Sequence, residues 1–142
     1  MKKCIAVTAL LLVILLLPVV AAACSSGKVT AALGEQFTLP AGKSAVITGE
    51  SLTVKFVEVT GDSRCATGVE CIQAGDVKCL MLISYSNSQT SLTFTQEGGS
   101  AEAVKDFNIY QMTFKVEPYP EAGKQIAPGD YRMVMTVTKT TK

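Results

Sequence analysis

From residue 35 onward, hydrophobic and polar positions alternate in short runs, each closed by turn-forming residues. Residues 35–39 end at Pro40-Ala41-Gly42, and residues 43–47 end at Thr48-Gly49-Glu50. Over residues 51–60, Leu52, Val54 and Phe56 share one face, with Thr53 and Lys55 on the other; the apolar phase then flips to Val57 and Val59. A strand changes phase in this way by inserting one residue, so the flip predicts a bulge near Phe56-Val57. Residues 76–86 place Val77, Cys79, Met81, Ile83 and Tyr85 on one face, while Leu80 and Leu82 make the other face apolar too. That pattern predicts a central strand covered on both sides. Further strands are expected at residues 90–96, 108–116 and 131–138, separated by Glu97-Gly98-Gly99-Ser100 and by a loop running from Pro118 through Pro128-Gly129-Asp130. None of these segments carries a helical period over a helix-worthy length.

Short strands at regular spacing, punctuated by Gly, Pro, Asn and Ser, indicate an all-β fold. The expected architecture is an antiparallel β-sandwich of about seven or eight strands with immunoglobulin-like topology, formed by residues 34–142. Asp130-Tyr131, entering the last strand, is similar to a tyrosine corner but lacks the neighbouring cysteine.

The first 23 residues break the pattern. Lys2 and Lys3 precede an almost wholly apolar region, Ile5 to Val20, followed by Ala21-Ala22-Ala23, the layout of an export signal removed by a peptidase. A permanent membrane helix is the competing reading, disfavoured by Pro18 and the small-residue exit. The run Val20-Ala21-Ala22-Ala23-Cys24 resembles the lipobox of bacterial lipoproteins, with Ala21 where that motif most often has Leu. The resemblance implies diacylglycerol on the Cys24 sulfur and cleavage before it; ordinary secretory cleavage at the same bond would leave Cys24 a free thiol. Two or three acyl chains anchor a protein stably where one is marginal. Residues 24–33, opening with Ser25-Ser26-Gly27, read as a flexible tether. The implied location is the non-cytoplasmic side of a bacterial cell envelope, and Ser25 fits sorting to the outer membrane if the cell has one.

Charge changes the picture little. Removing Lys2 and Lys3 from thirteen basic residues leaves eleven against twelve acidic, and no basic stripe stands out, which disfavours a nucleic-acid partner. Catalysis also lacks its usual parts. The chain has no His, no Gly-x-Ser-x-Gly turn, no phosphate loop and no Cys-x-x-Cys pair. No catalytic residue, cofactor or metal is therefore expected. Asp62, Glu70 and Asp76 read as solvated loop charges, with Asp62 paired to Arg64, rather than as an acid pair or a calcium site. Cys79, Met81, Met112, Met133 and Met135 are soft enough for Cu(I), but core packing explains them more simply.

The stretch Asp62 to Gly75 is the one built loop. Asp62-Ser63-Arg64-Cys65, Val69, Cys71 and Ala74-Gly75 resemble the signature of a family of small uncharacterised bacterial envelope lipoproteins. Glu117-Pro118-Tyr119-Pro120 and Pro128-Gly129-Asp130-Tyr131 are similar to that family's C-terminal pattern. Ala66 and Gln73 depart from it, standing where the family has Pro and Trp. In an oxidising compartment Cys65 and Cys71 would be bonded, with Cys71–Cys79 as the rival pairing.

Together these readings imply a lipid-anchored, non-enzymatic binding module. The membrane is engaged through Cys24, and an envelope or extracellular protein is the expected partner. The two loops would carry binding through exposed Arg64, Gln73 and Tyr119. The alternative is an inhibitor of an envelope-directed hydrolase, a lysozyme or a protease.

Overall fold

The computed structural model describes residues 28–140. The leader and Cys24 lie outside the described residues. Nine strands form two sheets that face each other: β1 (Lys28–Ala31), β2 (Gln36–Pro40), β3 (Ser44–Ile47), β4 (Leu52–Asp62), β5 (Asp76–Tyr85), β6 (Ser88–Glu97), β7 (Ala103–Phe107), β8 (Tyr110–Glu117) and β9 (Arg132–Lys139). One sheet has the order β1-β3-β4-β5-β6 and the other β2-β9-β8-β7. The expected antiparallel sandwich is present, built from two meanders, β3 to β6 and β7 to β9. The β1–β3 pair is parallel.

The strand count exceeds the sequence expectation at two places. Lys28–Ala31, expected to belong to a tether, is instead a strand that pairs with β3 and buries Ala31. Ala103–Phe107 shows no apolar alternation because it is a sheet edge carrying Lys105 and Asp106.

Alternation explains the core. Leu52, Val54 and Phe56 of β4, the odd positions Val77 to Ile83 of β5, and the even positions Tyr110 to Val116 of β8 all point between the sheets. Met133, Met135 and Val137 complete the layer from β9. Cys79 and the four buried methionines, soft enough to ligate a metal, lie within this apolar cluster. The β4–β5 register shifts between Phe56 and Glu58, where the sequence phase flips, and again between Val59 and Gly61. β5 is an interior strand of its sheet, next to the edge strand β6, but has a single covering layer: Leu80 and Leu82 on its other face are only half-buried.

One end of the sandwich is closed by a polar tie. Tyr110 donates its hydroxyl to Glu50 at 2.6 Å, and Lys139 pairs with the same carboxylate at 2.6 Å. Burial and the Glu50 acceptor push the Tyr110 hydroxyl up to about 12. The other end carries the loop.

Candidate functional site

Period-two geometry places Asp62 and Arg64 on the same side of the chain as it leaves β4. The Arg64 Nε donates to Asp62 Oδ1 at 2.9 Å, and one Nη donates to Oδ2 at 2.6 Å, a bidentate fork. The guanidinium also reaches across to the opposite sheet, donating to the carbonyls of Val116 at 2.9 Å and Pro118 at 3.0 Å. Tyr131, at the entry to β9, donates its hydroxyl to Asp62 Oδ2 at 3.0 Å. The Tyr119 ring covers the guanidinium, its centroid 5.0 Å from Arg64 Cζ. The Asp130-Tyr131 pair therefore does not form a tyrosine corner: the hydroxyl binds a side chain of the other sheet instead of nearby backbone.

This geometry corrects the expectation for Arg64. The residue is only 5% exposed, and each nitrogen of its guanidinium donates to the protein, so it holds the loop in place. Nor are Asp62 and Arg64 solvated charges; their side chains are 9% and 1% accessible. Burial alone would raise the Asp62 pKa, but the hydrogen bonds and charge of Arg64, with help from Tyr131, outweigh it and hold the carboxyl below its ordinary value. Tyr131 is pushed up to about 12 by burial and by its Asp62 acceptor.

A carboxyl whose folded pKa is depressed stabilises the fold fully above its unfolded value, about 3.9, and loses that contribution as pH falls through the folded value. The midpoint of thermal unfolding is therefore expected to drop below about pH 4. Glu50 titrates in the same direction, lowered first by its hydrogen bond from Lys139 and then by that from Tyr110. In Asp62→Asn the acid-induced drop should be shallower; an unchanged slope would show that Asp62 is not linked to folding.

Above this base stands the disulfide loop. Cys65 and Cys71 are bonded with Cα atoms 5.9 Å apart, and Cys79 is a free thiol in the core, pushed up to about 12 by burial. The pairing is the expected one, not Cys71–Cys79. The backbone binds the loop to the chain on both sides: Ser63 N donates to Asp76 O, and Cys65 N to Ala74 O, both at 2.8 Å. Gly75 has φ +69°, and its missing side chain is where Ser63 O lies. Thr67 N donates to Pro120 O at 2.9 Å, and Ala122 N to Thr67 O at 3.1 Å. The two loops named from the sequence are thus one surface. Between them and the end of β4 lies an open cleft of about 360 Å³, lined by Asp62, Lys124, Ile126 and Tyr131 among others. Its cationic side chains are already paired, Arg64 with Asp62 and Lys124 with Glu121.

Of the three binding candidates, Gln73 is exposed on the disulfide loop and Tyr119 is 37% exposed over the guanidinium. Sequence reasoning missed Val69 and Ile72, which are 51% and 104% exposed. Apolar residues beside two cysteines in a loop without strand alternation were the available signal. It also missed Gln96, which is buried: its Oε1 accepts from Val116 N at 2.8 Å, and its Nε2 donates to Ser100 O at 2.9 Å. No protein-family model, curated protein or solved structure matches the chain.

Proposed function

We propose that the chain is a lipid-anchored protein of the bacterial cell envelope, a member of the small lipoprotein family that its loop resembles. Its role is non-enzymatic: it presents the disulfide-closed loop to a protein partner. The leader pattern and Cys24 support the anchor. The observation that carries the binding role is Ile72, an apolar side chain held wholly in solvent by a loop that is covalently closed and hydrogen-bonded at its base. An ordered loop loses little conformational entropy on binding, and an apolar residue at its tip can form the desolvated centre of an interface.

A photo-crosslinking amino acid at position 72 of the full chain, expressed with its leader, is expected to give a discrete protein adduct in the envelope. The same group at exposed Thr38 should not. No adduct at 72, or equal adducts at both positions, would remove the loop from consideration. Intact mass of the same preparation tests the anchor, through acyl groups on a chain beginning at Cys24.

Ile72, the more exposed of the loop's two bare apolar side chains, also favours the hydrolase-inhibitor reading, because a cleft can admit one such residue. Inhibition of a lysozyme or protease that is lost in Ile72→Asp would select this reading; silence across a panel at micromolar protein would end it.

A further inference from the structure

The four sheet edges are not alike. β1 has four residues, β2 has five and ends in Pro40, and β7 has five with Lys105 and Asp106 at its centre. Short length, proline and charge are the usual means by which an edge is kept from pairing. β6 has none of them. It runs ten residues, Ser88–Glu97, with no proline, no charge before Glu97, and an unbroken register against β5.

Its free backbone groups can be assigned. Ser86 and Asn87 have φ 45° and 65°, which makes the β5–β6 connection a two-residue turn of the kind that closes on a hydrogen-bonded pair. That pair is Tyr85 and Ser88. Hydrogen-bonded and non-hydrogen-bonded pairs then alternate along the ladder, so the N–H and C=O groups of Gln89, Ser91, Thr93 and Thr95 point away from β5. Among the described residues, none of these four has a backbone partner outside the sheet.

We propose that β6 pairs antiparallel with β6 of a second copy of this chain, joining the two five-stranded sheets into one. Strand pairing about a two-fold axis sets a segment against itself, so it tolerates only segments whose charges do not meet their own kind. β6 satisfies this when the axis passes at Leu92. Gln89 then faces the partner's Thr95, and Ser91 faces the partner's Thr93, so all four outward residues find backbone partners. Glu97 falls opposite the partner's Asn87, an uncharged residue. Leu92, half-buried at the edge, meets the partner's Leu92 as a non-hydrogen-bonded pair with Cα atoms about 4.5 Å apart. β7 set against itself would not meet the condition so simply, because Lys105 and Asp106 fix which registers avoid like charges.

The test uses the full chain in mild detergent, sedimented at rising concentration up to roughly 100 µM. A monomer–dimer equilibrium is expected. Thr93→Lys, an exposed position, should shift dimerisation to at least tenfold higher concentration without moving the unfolding midpoint measured at a dilution where both proteins are monomers. Under a mild oxidant, Leu92→Cys should give a disulfide-linked dimer. Thr95→Cys should not, because the two copies of position 95 lie about 20 Å apart along the strands. A monomer at every concentration overturns the proposal. So does a Thr93→Lys variant that dimerises like the parent, or a Thr95→Cys variant that crosslinks as readily as Leu92→Cys.

Discussion

Arg64→Ala is expected to destabilise the domain by about 3–5 kcal/mol at neutral pH, the usual cost of removing one partner of a buried ion pair. The substitution leaves Asp62 without its counter-charge and strips donors from the Val116 and Pro118 carbonyls. Each kcal/mol is worth roughly 4–8 °C of melting temperature in a domain near 100 residues, so the midpoint should fall by at least ~12 °C. Arg64→Lys should recover only part of this, because a point charge cannot make the planar fork to Asp62 and also span to the opposite sheet. The double variant Arg64→Met with Asp62→Asn should be more stable than Arg64→Ala: it removes the stranded charge and keeps an acceptor for the Tyr131 hydroxyl. Thermal or urea unfolding of the three variants decides the matter. A loss below about 1 kcal/mol in Arg64→Ala would be the value of a surface pair and would contradict the burial of this one.

Gly75→Ala is expected to be of similar size, for a steric reason. A Cβ at this position would lie 1.9 Å from Ser63 O and 2.5 Å from Ser63 C, both backbone atoms. The neighbouring backbone cannot move aside cheaply, because Ser63 and Cys65 are hydrogen-bonded to Asp76 and Ala74 on either side of the glycine. The positive φ adds about 1–2 kcal/mol for any residue with a side chain. Parting the strands costs about 1 kcal/mol for each backbone bond lost. A total of roughly 3–5 kcal/mol follows from these terms. Two other glycines separate the causes. Gly123 has φ +74° and open space around it, so Gly123→Ala should show the conformational cost alone. Gly98 has no positive φ, but its Cβ would meet Ala74 O at 2.0 Å, so Gly98→Ala should show the clash alone. Denaturant unfolding that ranks Gly75→Ala no worse than Gly123→Ala would mean that the close approach to Ser63 contributes nothing.

Local rules make much of the fold legible in the amino-acid sequence. Period-two alternation locates seven of the strands, because a strand with one buried face repeats every two residues wherever it lies. The same logic locates the β4 bulge from a single phase flip at Phe56-Val57. The Cys65–Cys71 bond is readable because it closes over a few residues. β7 is illegible because an edge strand buries too little for its sequence to alternate, and β1 because four residues are too few to show a period.

What escapes is whatever depends on distant chain. Arg64 sits in a polar stretch and reads as solvated. It is buried only because Val116, Pro118 and Tyr131, which follow it by more than fifty positions, fold over it. Gln96 reads as the polar end of a strand, yet its partner Val116 lies in the other sheet. The exposure of Ile72 is equally non-local, since an apolar side chain is covered or bare according to what packs beside it. The sequence by itself therefore determined seven of the nine strands, most of the turns and the disulfide, because each depends on neighbours in the chain. Only the tertiary structure decided which side chains were enclosed and which loops met, because burial belongs to both surfaces that come together.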